Sequence, residues 1–85
     1  MLLSVKEAIQ KATEYLYSIY DNPENILLEE IKLAEEAPIW IVTLSFDNPL
    51  PLKPFEVALG KKRLFRTVEF DAITGEFQSL KTMQL

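Results

Sequence analysis

The 85-residue chain contains no cysteine and no histidine. Without cysteine there is no disulfide framework, so the fold must hold by packing alone. The same absence excludes thiolate chemistry and, with the absence of histidine, any zinc site built from Cys or His ligands. No Ser-His or Cys-His catalytic pair can form within the chain, and the side chain that most often moves protons near neutral pH is missing. Glycine occurs only at positions 60 and 75, which rules out GxxxxGK[ST] and GxGxxG phosphate loops. No apolar run approaches the ~20 residues that span a bilayer. The N-terminus, MLLSVKEAIQ, has no basic segment ahead of a long apolar one and does not read as a signal peptide. Positive charge is also in short supply: the net charge of −4 argues against a phosphate-binding surface, because affinity for nucleic acid comes mainly from neutralising phosphates. The expectation is a cytoplasmic protein of bacterial type that binds no nucleic acid, no membrane and no cofactor.

What is present is enough apolar material for one core, with a hydrophobic fraction of 48% and an aromatic share of 11%. Residues 1–85 are therefore expected to form a single domain. Ser4 and Glu7 fit the S-x-x-E capping box, with Leu3 and Ala8 placed as a hydrophobic staple. Val5, Ala8, Ile9, Ala12, Leu16 and Ile19 recur at helical spacing, and Asp21-Asn22-Pro23 ends the pattern. The spacing predicts an amphipathic helix over about 5–20. Tyr15 and Tyr17 lie about 200° apart on it, so Tyr17 is expected to point outward.

Strands are expected over about 26–34, 39–46, 63–71 and 76–83, paired as two antiparallel hairpins. In the first, Leu27, Glu29, Ile31 and Leu33 share one parity, while Glu30 and Lys32 fall on the other. Adjacent strand residues point to opposite faces, so Glu29 and Glu30 are not expected to share a site. Glu35-Glu36-Ala37-Pro38 breaks the run. Trp40, Val42, Leu44 and Phe46 then alternate with Ile39, Ile41, Thr43 and Ser45. Residues 47–62 read as a long connection, with one helical turn near 54–59 and three prolines that cannot sit inside a central strand.

The most legible stretch is VEFDAITGEF, positions 68–77. Asp71 can accept hydrogen bonds from backbone N–H groups two and three residues on, and Gly75 supplies a left-handed residue that closes a turn with a bulge. Asp71, Thr74 and Gly75 are therefore expected to be structural turn residues rather than ligands. A calcium loop would need more carboxylates at alternating positions.

The segments WIVTLSF (40–46) and RTVEFDAITGEF (66–77), preceded by one helix, resemble PepSY domains and related small cystatin-like α+β proteins. The resemblance covers roughly residues 5–83 and is carried chiefly by the final hairpin. It implies an α+β fold, with one N-terminal helix packed on a four-stranded antiparallel sheet. It also implies a non-catalytic role, since PepSY domains are associated with restraining peptidases. The Gln-x-Val-x-Gly loop by which cystatins inhibit cysteine proteases has no counterpart at Glu35-Glu36-Ala37-Pro38, so that activity does not carry over.

The residues themselves also favour binding over catalysis. Catalytic carboxylates need burial or a close like charge, and the paired acids here fall in an exposed turn or on alternate faces. Two features suggest docking surfaces: a candidate interaction loop with Leu50, Leu52 and Phe55, and a candidate basic patch of Lys61, Lys62, Arg63 and Arg66. The expected function is a protein-interaction module, such as a small inhibitor or immunity-type protein. The alternative is a structural homodimer assembled by edge-strand pairing. The expected partner is accordingly another protein or a second copy of the chain.

Overall fold

The computed structural model describes residues 1–47 and 63–82. The loop residues Leu50, Leu52 and Phe55, the helical turn near 54–59, and Lys61 and Lys62 of the basic patch lie outside the described residues.

A helix, α1 (Val5–Ile19), begins at the expected capping box. The Ser4 hydroxyl accepts from the Glu7 N–H at 3.1 Å, and the Glu7 carboxylate accepts from the Ser4 N–H at 2.9 Å. The Ser4 N–H first, and its hydroxyl second, hold the Glu7 carboxyl below its ordinary pKa. The helix stops at Tyr20, whose backbone turns extended while its N–H still reaches the Leu16 carbonyl. Ala8, Ala12 and Leu16, spaced four apart, have no exposed surface. Two alanines on that stripe let the helix backbone lie close to what is beneath it. The ends of the apolar stripe behave differently, because Val5 and Ile19 are exposed.

Beneath the helix is one sheet of β1 (Glu24–Ala34), β2 (Ile39–Asp47), β3 (Arg63–Asp71) and β4 (Phe77–Thr82), in the order β1-β2-β3-β4 with every neighbouring pair antiparallel. The fold is thus α+β, one helix on a four-stranded antiparallel sheet. The helix packs chiefly on β2 and β3. Alternation on β2 turns Trp40, Val42, Leu44 and Phe46 toward it, opposite Phe70, Val68, Arg66 and Leu64 of β3. Phe46 and Phe70 are fully buried, each contributing roughly 1.5–3 kcal/mol of transfer free energy. Leu3 ties the N-terminal segment to the core: its N–H donates to the Ala72 carbonyl at 2.7 Å, and its carbonyl accepts from Trp40 Nε1 at 3.1 Å.

β1 departs from simple alternation. Leu28 pairs with Leu44 and Glu30 pairs with Thr43, so Glu29 is an extra residue bulged out of the ladder. A bulge sets two residues against one and reverses the parity beyond it. Ile31 and Leu33 face the helix side, as their partners Val42 and Trp40 do, but Leu27 pairs with Ser45 and faces the other way. The expectation that Leu27 and Glu29 share a face with Ile31 and Leu33 is therefore corrected. So is the expectation that Glu29 and Glu30 point apart. Glu30 sits opposite Thr43, and the Glu29 carboxylate accepts from the Ser45 hydroxyl at 2.6 Å, both on the face opposite α1.

Candidate interaction surfaces

A helix with its side chains is about 10 Å across, and strands lie about 4.8 Å apart. One helix therefore covers about two strands of a four-stranded sheet. With α1 over β2 and β3, the helix-side faces of β1 and β4 are left without a complete cover among the described residues. Both flanks are apolar. On the β1 side Leu28 is 44% exposed, with Ile31 and Leu33 half-buried. On the β4 side Phe77 is 39% and Ile19 49% exposed. There Tyr15, Ser18, Ile19 and Phe77 line an apolar groove of about 300 Å³ between the helix and the strand. Tyr15 anchors its wall: its ring lies 5.0 Å from that of Phe77 and 6.0 Å from that of Phe70, and its hydroxyl donates to the Gly75 carbonyl. Tyr17, on the opposite side of the helix, is exposed.

Both outer strands are also sheet edges among the described residues. An edge presents a row of unpaired backbone N–H and C=O groups that a further strand can complete. The flanks therefore combine backbone hydrogen-bonding capacity with adjoining apolar surface.

The turn residues of the sequence lie next to the groove. The Asp71 carboxylate accepts from the Ile73 and Thr74 N–H groups at 2.7 and 2.9 Å. These two bonds, that from Thr74 being the larger influence, hold the Asp71 carboxyl below its ordinary pKa. The Thr74 hydroxyl accepts from the Glu76 N–H at 3.2 Å, and the Gly75 N–H donates to the Asp71 carbonyl at 2.9 Å. Gly75 has φ of 79° and is buried against Lys11 and Leu3. Each residue of the motif serves chain reversal, and Gly75 also serves the docking of α1, which the sequence pattern did not reveal.

Of the basic residues, Arg63 and Arg66 do not form a patch. Arg63 pairs with Asp47 on the face opposite α1 and Arg66 pairs with Leu44 on the α1 face. Three residues apart on a continuous strand, they point to opposite sides. Each is engaged. Arg66 Nε donates to the Tyr20 hydroxyl at 2.7 Å, with the guanidinium 5.7 Å from the Tyr20 ring centre. Arg63 donates to Asp47 Oδ1 at 3.0 Å, to the Ser45 hydroxyl at 3.0 and 3.2 Å, and to the Asn25 carbonyl. Asn25, at a left-handed φ of 52°, returns a bond to Asp47 at 2.6 Å. Arg63 thereby clamps the start of β1 to the end of β2.

That cluster brings together a serine, two carboxylates and a guanidinium, residue types that elsewhere carry acid–base or nucleophilic work. Here the Ser45 hydroxyl accepts from Arg63 and donates to Glu29. Ser45 has no exposed surface. The Thr43 and Thr67 hydroxyls pair at 3.0 Å on the same face.

Among the described residues no group of three or more His, Cys, Asp or Glu is placed to hold a metal ion, and no helix is long and apolar enough to cross a membrane. Compared with known proteins, the chain matches no family model, no curated protein and no solved structure.

Proposed function

We propose that this chain is a non-catalytic protein-interaction module that binds another polypeptide along the β4 edge and the groove beside it. The observation that carries the reading is the exposed apolar strip formed by Tyr15, Ile19 and Phe77 next to a strand that is a sheet edge among the described residues. In β-augmentation an extended segment adds to such an edge, with backbone bonds supplying affinity and alternate side chains entering the adjoining groove. Tyr and Phe suit this use, because they bury large areas at low conformational cost. The resemblance to PepSY domains, which are associated with restraining peptidases, points the same way, and a small inhibitor or immunity-type protein is the special case it favours. The basic cluster is not part of this reading, since its two described members are turned apart and already bonded.

The test combines capture with mapping. A tagged chain is used to isolate a stoichiometric partner, and amide exchange is then measured on the complex. Protection of the β4 amides, with capture lost in Ile19→Asp at unchanged melting temperature, supports the module. Capture that survives Ile19→Asp and Phe77→Ser, or that leaves β4 exchange unchanged, refutes this binding surface.

A further inference from the structure

We infer that β1 pairs with β1 of a second copy of this chain, antiparallel and two-fold symmetric, with Ile31 on the axis. The inference shares with the proposed function the use of sheet edges as binding surfaces, but it concerns the opposite edge.

The observation behind it is the order of residues along β1. Glu30 and Lys32 lie on the face opposite α1, bridged to each other at 3.2 Å and largely exposed, at 51% and 62% of their side chains. In a two-fold antiparallel pair centred on residue 31, residue 30 of each copy faces residue 32 of the other. Two Glu–Lys pairs then form directly across the junction, where opposite charges stabilise and like charges destabilise. On the helix side Ile31 meets Ile31.

Further out the Glu29 bulge becomes decisive. By simple counting Leu33 would meet Glu29, and Ala34 would meet Leu28. With Glu29 bulged, the parity shift sets Leu33 against Leu28 and Ala34 against Leu27. Apolar residues then meet apolar residues throughout, including Leu27 and Leu28, which are among the exposed large hydrophobics. Such a surface is self-complementary, as an isologous contact requires.

The alternatives fit less well. Centring the pair on residue 32 would set lysine against lysine. At the other edge, a two-fold centred on Leu80 places Lys81 opposite Ser79, so no charge pair selects that register. The β1 pairing joins two sheets edge to edge with both helices on one side, and it leaves the groove beside Phe77 free in each copy.

The experiment is sedimentation equilibrium across concentration at low salt, on the wild type and three variants. The expected wild-type result is a dimer of the 9.8 kDa chain. Glu30→Lys and Lys32→Glu each convert two opposite-charge pairs into two like-charge pairs, and each is expected to raise the dimer Kd about tenfold or more. Mixing these two variants one to one brings opposite charges together again and should restore association, as should the double variant Glu30→Lys/Lys32→Glu. Amide exchange on the wild type supplies a readout free of mutation: β1 protection should rise with protein concentration. A wild type that stays monomeric, a dimer indifferent to both charge changes, or single variants that do not recover on mixing would each overturn the pairing. None of these substitutions touches the groove beside Phe77. Failure here with capture intact would refute only the self-association, and the converse result would refute only the β4 binding surface.

Discussion

Replacing Gly75 with alanine places a methyl group in a turn whose backbone is left-handed and whose Cα is pressed against the helix. The residue has φ of 79°, a region that costs an L-residue roughly 1–2 kcal/mol. Alanine also narrows the unfolded ensemble, which offsets about 0.4–1 kcal/mol of that strain. The new Cβ would lie 2.9 Å from Lys11 Cε, 3.7 Å from Lys11 Cδ and 3.6 Å from Leu3 Cδ1. The closest of these atoms belongs to the flexible end of a lysine, so crowding there adds a small further cost rather than a large one. The net expectation is a loss of about 1 kcal/mol, or roughly 4–8 °C in melting temperature for a domain of this size. Urea unfolding followed through Trp40, the single tryptophan and largely buried, reads the change directly. Combining Gly75→Ala with Lys11→Ala separates the two contributions. If crowding matters, the double variant loses less than the sum of the singles; if backbone strain is the whole cost, the two add. A Gly75→Ala variant as stable as the wild type would refute the assignment of this glycine to a conformational role.

Asp71 and Glu7 both have folded-state pKa values below their ordinary ones. The stability each contributes is complete above its unfolded-state pKa and is lost as pH falls through the lower folded value. Asp71→Asn keeps an oxygen acceptor for the Ile73 and Thr74 N–H groups but cannot titrate. Acid titration below about pH 4 should therefore destabilise the wild type more steeply than this variant, and parallel curves in thermal melts would contradict it. Arg63→Lys retains the charge but loses the planar fork that serves Ser45, Asp47 and Asn25 together, and Arg63→Ala loses both. Each is expected to cost about 1–2 kcal/mol, with lysine recovering little; a lysine variant matching the wild type in urea unfolding would show that charge alone suffices.

Several features of the chain were legible because they are local. The capping box at Ser4 and Glu7 is written by two residues three apart, and the reversal at Asp71–Gly75 by an acceptor and a glycine within five positions. The alternating pattern of β2 identified its apolar face, and the run of Ala8, Ala12 and Leu16 identified the buried face of α1. For the cap and the turn the partner lies within five residues, and for the two faces the period of the element alone sorts side chains to one side or the other, so neighbouring residues contain the information.

What depended on distant partners was not legible. The face of each β1 residue follows from the ladder with β2, and the Glu29 bulge exists only in that pairing. From sequence alone Leu27 and Ile31 have one parity; in the sheet they lie on opposite sides. Arg63 and Arg66 look like neighbours in a basic segment, yet strand geometry sends one to Asp47 and the other to Tyr20. The groove at Phe77 arises because one helix is too narrow for four strands, a fact of cross-sections rather than of residue order. The amino-acid sequence by itself determined the α+β class, the helix start, the turn and the apolar faces of α1 and β2. Tertiary structure alone decided which apolar residues remained uncovered, because exposure depends on what packs above a residue, and that is a relation between elements far apart in the chain.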